Sequence, residues 1–341
     1  MKNNSRHILV RSISSALLAA GLAAGALAQG PGPAGPGAAA NAEEMQRRQE
    51  EQNRRPDTIG TGEFAAMKEE VPSLEAHVIY RPQDIAAMGD TKLGVVAWGN
   101  GGCSADAASS RFHLLELASH GYLVIANGNI LSGPGAPPRE PRQPGAGAPG
   151  PNPNPATSAA QMVEAIDWAM AENARQGSAY FGRIDPDMIA VSGFSCGGIQ
   201  AIGIADDPRV DTVLMMNTGL IVNGETTMGG MTMDKSQLDK VHTPIFYILG
   251  GETDIAYVNG MDDFEKINHQ PVAVANLDVG HGGTYAQENG GIAAQVAVNW
   301  LDWVLRGDAE AGKWFLGDDC VLCTDPEWEY ESKSLEQIPA R

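Results

Sequence analysis

The chain has 341 residues, with 23 Lys and Arg against 42 Asp and Glu, a formal charge of −19. So acidic a protein lacks the basic footprint that nucleic acid and anionic membrane surfaces require, and neither is expected as a partner. About 275 residues remain once the N-terminal segments described next are set aside, enough for one large domain with a substantial core.

At the start, Lys2, Arg6 and Arg11 precede the apolar run "ISSALLAAGLAAGALA", which closes on Ala26-Leu27-Ala28. A basic start, a short apolar core and a small-residue cleavage site make residues 1–28 a secretory signal. The run is too short and too rich in glycine to span a bilayer, so no membrane span is expected after cleavage. A secreted or periplasmic protein follows, with a mature charge of −22, because three cations and no acids leave with the signal. Residues 29–57, rich in Gly, Pro, Ala, Gln, Glu and Arg without apolar periodicity, read as a disordered leader. Residues 58–341 read as a single domain.

Within that domain, seven runs are expected to be strands: "AHVIY" (76–80), "GVVAW" (94–98), "YLVIAN" (122–127), "MIAVSG" (188–193), "TVLMM" (212–216), "IFYILG" (245–250) and "VAVANLDV" (272–279). Most are continuously apolar rather than alternating, as strands buried on both faces of a parallel sheet must be. Helix-like segments lie between and after them at 105–119, 158–175, 197–206, 258–268 and 290–306. The alternation predicts an α/β fold, a mostly parallel central sheet with helices on both faces. The stretch 131–155, dominated by Pro and Gly, cannot hold a helix or a central strand and is expected as a long surface loop.

Gly193-Phe194-Ser195-Cys196-Gly197 fits G-x-S-x-G and lies between a strand and a helix, the context the motif needs. The turn is so tight that the serine backbone is strained, and side chains must be absent around it for the helix to pack close. Sheet polarity sorts the possible bases. His242 and His269 precede strands, at their amino ends, whereas His281 follows the carboxyl end of 272–279, the end that also carries Ser195. The same rule selects Asp254, just past the strand ending near Gly250, as the orienting acid. Glu252 and Asp278 compete with it, the latter placed still within its strand. Asp211 stands before its strand, and Asp262 and Asp263 are placed on an exposed helix.

An oxyanion requires two backbone donors. One is the N–H of Cys196, after the serine; the other is expected from the glycine-rich loop in "VVAWGNGGCSADA", at Cys103 or Gly102. Donors converging on one oxygen bring the Cα atoms of Cys103 and Cys196 about 5–7 Å apart, within reach of a disulfide. Either that bond forms or both are small buried thiols. Cys320 and Cys323, in "CVLC", lack a second ligand pair at zinc spacing and would pair locally.

With these residues placed, the chain resembles the α/β-hydrolase superfamily, and within it exported serine esterases of the bacterial polyester-hydrolase (cutinase-like) and dienelactone-hydrolase branch. The likeness covers roughly residues 74–306 and is carried by "LASHGYLVI", "AIDWAM", "GRIDPDMIAVSGFSCGG", "GGETDIAY" and "GHGG", in that order. It implies Ser195 as nucleophile, His281 as base, Asp254 as its acid and Cys103 as first oxyanion donor. Two departures stand out: Cys103 sits where polyester hydrolases carry an aromatic clamp, and "MMNTGLIVNG" has no aromatic where they carry a tryptophan. Residues 220–240 are also longer and more polar than an open cleft needs. The resemblance therefore implies ester hydrolysis, while these departures weigh against a polymer as the substrate.

The expected activity is serine hydrolysis of a small-molecule or oligomeric carboxylic ester through an acyl-enzyme, with no metal or organic cofactor. A peptidase or amidase with the same three residues, and a non-catalytic binding module on a hydrolase scaffold, are the alternatives.

Overall fold

All seven apolar runs become strands of one sheet. The computed structural model of the protein describes residues 47, 50–138 and 155–341, so the signal segment, most of the leader and residues 139–154 of the Pro/Gly-rich loop lie outside them. Residues 131–138 form neither helix nor strand. The last residues of the leader are part of the domain. Residues 50–54 are helical, Arg55 donates to Ala286 O at 2.5 Å, and Asp57 pairs with Lys68 and, at 3.1 Å, with Arg111.

In chain order, β1 (Ala66–Val71) and β2 (Leu74–Pro82) form an antiparallel pair, followed by β3 (Leu93–Gly99), α1 (Arg111–Ser119) and β4 (Tyr122–Asn127). Next come α2 (Ala159–Ala174), β5 (Ile184–Phe194), α3 (Cys196–Gly203) and β6 (Thr212–Met216). A small hairpin, β7 (Thr226–Met228) and β8 (Met231–Met233), precedes β9 (Ile245–Leu249), α4 (Tyr257–Lys266), β10 (Val272–Leu277), α5 (Gly291–Arg306) and β11 (Trp328–Lys333). The large sheet has nine strands in the order β1-β2-β4-β3-β5-β6-β9-β10-β11. From β4 to β10 every neighbouring pair is parallel; β1, β2 and β11 run antiparallel to theirs.

Alternate residues of each central strand enter two separate cores, as the two-residue period of a strand dictates. On one face Val96, Trp98, Val124, Leu214, Phe246 and Ala273 meet α1 and α5. On the other Val95, Ala97, Ile125, Val213, Tyr247 and Val274 meet α2, α3 and α4. The α/β arrangement with helices on both faces is thus the observed one. Trp300 of α5 shows how completely the first face closes: the ring is fully buried, stacks on Phe246 at 4.8 Å and donates its N–H to Thr212 Oγ1 at 2.9 Å. Among the described residues no helix is long and apolar enough to cross a membrane.

Asp263 corrects an expectation. It is fully buried rather than exposed, accepting from Leu220 N–H at 2.9 Å and from Lys235 Nζ at 2.6 Å. Burial pushes its carboxyl up to about 6 against the pull of Lys235. The segment 218–240, unplaced by its sequence, folds over α4 and supplies both partners.

Candidate active site

The stretch from Gly193 to Gly198 is built by exclusion of side chains. Ser195 stands at φ 53°, ψ −118°, a strained backbone for any residue with a Cβ, between the end of β5 and the first turn of α3. That kink is held from both sides: Ser195 N–H donates to Met216 O at 2.9 Å, and Ser195 O accepts from Gly198 N–H at 2.9 Å and Thr218 Oγ1 at 2.8 Å. The glycines are needed for space. A Cβ at Gly197 would lie 2.0 Å from the carbonyl of Gly99, and one at Gly193 would lie 2.3 Å from Gly197 C. Glycine therefore lets α3 start directly against the end of β3.

His281 follows β10 and reaches Ser195: its Nε2 lies 3.0 Å from Ser195 Oγ, and its Nδ1 lies 2.6 Å from Asp254 Oδ1. An ionised carboxylate only accepts, so Nδ1 carries the proton and donates to Asp254. Nε2 is then free to accept from the Ser195 hydroxyl. Phe194 backs the imidazole, with ring centroids 5.2 Å apart.

Asp254 is 3% exposed, and both its oxygens are fully engaged. Oδ1 accepts from His281 and from Ala256 N–H at 2.9 Å; Oδ2 accepts from Gly250 N–H at 3.0 Å and from Asn217 Nδ2 at 2.8 Å. Burial pushes this carboxyl up, but the bonds from His281, Ala256, Asn217 and Gly250 outweigh it and hold it below the ordinary carboxylate value. The anion is fixed in charge and in direction.

The competing residues stand elsewhere. Glu252 and Asp278 are exposed, and Asp278, one residue past the end of β10 rather than inside it, accepts from Thr253 Oγ1 at 3.3 Å. His269 bonds Val241 O at 2.9 Å at the opposite end of the sheet, and Asp211 caps Ile189 N–H there at 2.9 Å. Asp262 pairs with Lys235 and Lys266.

Cys103 and Cys196 are joined, with Cα atoms 5.2 Å apart, and both are buried. The bond ties the loop after β3 to the residue after Ser195. Cys320 and Cys323 are joined locally, their Cα atoms 4.9 Å apart. The Cys196 amide, first in α3, has no intrahelical acceptor. The Cys103 amide differs from expectation: it donates to Asn100 O at 3.0 Å within a tight turn over Gly101–Cys103. Of the two loop residues named from the sequence, Gly102 is then the remaining candidate donor.

Two residues that sequence reasoning missed belong to the same cluster. Asn217, immediately after β6, holds Asp254, and Tyr285 donates its hydroxyl to Asn217 Oδ1 at 2.9 Å. The signal for Asn217 was present: a polar residue directly past the carboxyl end of the strand beside the serine's. Among the described residues no group of three or more His, Cys, Asp or Glu is arranged to hold a metal ion. In comparisons with known proteins, no family model matches the chain and no curated protein matches it.

Proposed function

We propose that the protein is a serine hydrolase of carboxylic esters, with the fold and mechanism of the α/β-hydrolase superfamily. The observation that carries this reading is the unbroken line from Asp254 through His281 to Ser195, with spacings of 2.6 and 3.0 Å. Nucleophile and base are within hydrogen-bond reach, and the base is oriented by a third group.

In this reading His281 Nε2 takes the Ser195 proton as Oγ attacks the ester carbonyl, and Asp254 stabilises the imidazolium that forms. The tetrahedral oxyanion rests on the Cys196 amide and on a second donor from the neighbouring loop, for which Gly102 is the candidate. His281 then protonates the leaving alcohol. In the second half-reaction it takes a proton from a water that attacks the acyl carbon, and returns that proton to Ser195 Oγ as the acid leaves. Two bonded cysteine pairs suit an oxidising compartment, which together with the N-terminal segment supports a secreted or periplasmic enzyme.

Hydrolysis of p-nitrophenyl esters of increasing chain length tests the proposal. Ser195→Ala should lose on the order of 10⁴-fold in kcat. Retention of a tenth of wild-type turnover would rule Ser195 out. An ester and its matched anilide, compared at equal concentration, separate an esterase from an amidase; faster anilide cleavage would reverse the assignment.

A further inference from the structure

We infer that Asn217 and Tyr285 are positioning residues for the proposed hydrolysis, a buried relay that acts through Asp254 to hold His281 in line with Ser195. The inference rests on that functional reading. Its structural basis is a continuous chain of oriented bonds: Tyr285 hydroxyl to Asn217 Oδ1 at 2.9 Å, Asn217 Nδ2 to Asp254 Oδ2 at 2.8 Å, and His281 Nδ1 to Asp254 Oδ1 at 2.6 Å.

Each link has one workable direction. Were the Asn217 amide turned over, its oxygen would face a carboxylate oxygen, acceptor against acceptor, inside a site where Asn217 is 2% and Asp254 3% exposed. A buried polar mismatch of that kind is costly. The acceptor-only carboxylate thus directs the NH₂ group at Asp254, and the Tyr285 hydroxyl donates to the amide oxygen left facing it. Burial and then the Asp254 charge push that hydroxyl well above its ordinary value, so it remains a donor.

The surrounding backbone is shaped for these two side chains. Asn217 occupies φ 47°, a left-handed conformation that asparagine tolerates better than most residues, and is pinned by its own N–H to Ile248 O at 2.7 Å. A Cβ at Gly250 would lie 3.0 Å from Asn217 Nδ2. A Cβ at Gly283 would lie 3.0 Å from Asn217 Oδ1 and 2.6 Å from the Tyr285 ring. Gly250 and Gly283 thus leave the space that the side chains of the relay occupy. Tyr285 also packs on Phe194 at 4.6 Å, the ring that backs His281, so both supports of the imidazole converge on one residue.

Asn217→Gly removes the amide while suiting the positive φ, and Tyr285→Phe removes only a hydroxyl. Losing a bond to the charged carboxylate should lower kcat by roughly 10- to 100-fold in Asn217→Gly, and losing the neutral bond by about 3- to 10-fold in Tyr285→Phe. KM should hold in both, since both residues are buried. A second readout is independent of turnover: the downfield proton resonance of His281 Nδ1–H should move in both variants. Tyr285→Phe alone suffices if Asn217→Gly folds poorly. Unchanged kcat together with an unmoved resonance in a folded Tyr285→Phe protein would overturn the relay. Failure of the hydrolase reading looks different: wild type would then cleave no ester, and the resonance alone would decide whether the relay orients His281.

Discussion

Removing the Cys103–Cys196 bond by a double alanine substitution tests the most consequential covalent feature of the site. The two residues are 93 apart in sequence, so the bond closes a large loop in the unfolded chain. In the chain-entropy treatment such a loop is worth about 4–5 kcal/mol at 25 °C, whereas the Cys320–Cys323 loop, with a separation of 3, is worth only about 2 kcal/mol. Against a total stability on the order of 5–15 kcal/mol, the first loss is a large fraction. Urea denaturation followed by circular dichroism measures both. The Cys103→Ala/Cys196→Ala protein should show a much lower midpoint, and a steeper slope because its unfolded chain is more expanded. The Cys320→Ala/Cys323→Ala protein should lose less than half as much. The bond also joins the loop after β3 to the first residue of α3, so kcat should fall in the first variant and hold in the second. Equal midpoints for the two variants, or no loss in either, would refute the entropic account.

Gly197→Ala would place a Cβ 2.0 Å from the Gly99 carbonyl, forcing α3 away from β3. Thermal unfolding should report a loss of about 1–3 kcal/mol, and ester turnover about a hundredfold loss, because the serine is displaced. His113 is fully buried against Trp98 and Tyr285, and burial, opposed by Glu116, lowers it from 6.5 to about 4. Its folded value lies below its unfolded one, so the native state must resist protonation and loses stability as pH falls from about 6.5 to 4. The loss is about 3 kcal/mol at most, measurable as urea midpoints across that range, and it should be missing in His113→Phe.

The central strands were legible because burial on both faces writes itself as an unbroken apolar run, as in "GVVAW" and "TVLMM". Edge strands carry no such mark. "AMKEEV" is charged at three of its six positions, and "WEYESK" alternates because only one of its faces is covered, so neither β1 nor β11 was found. The hairpin β7–β8 consists of Thr and Met around Gly229-Gly230, and its three-residue strands are too short to show a period. For the site, polarity was enough to bring forward Ser195, His281 and Asp254, because each follows the carboxyl end of a parallel strand. Asn217 obeys the same rule, yet its partner lies 37 residues away and the contact depends on a left-handed backbone that one sequence does not announce. Asp263 was misplaced because the cover over α4 comes from a segment whose own fold was not readable.

The central claim is that Ser195 is a nucleophile activated by His281. Treating the intact protein with a fluorophosphonate and mapping the adduct by peptide mass spectrometry tests it most directly. The account predicts one adduct, on the peptide carrying Ser195, absent from Ser195→Ala and much slower to form in His281→Ala. An unlabelled wild-type protein, or an adduct that persists in Ser195→Ala, would contradict it.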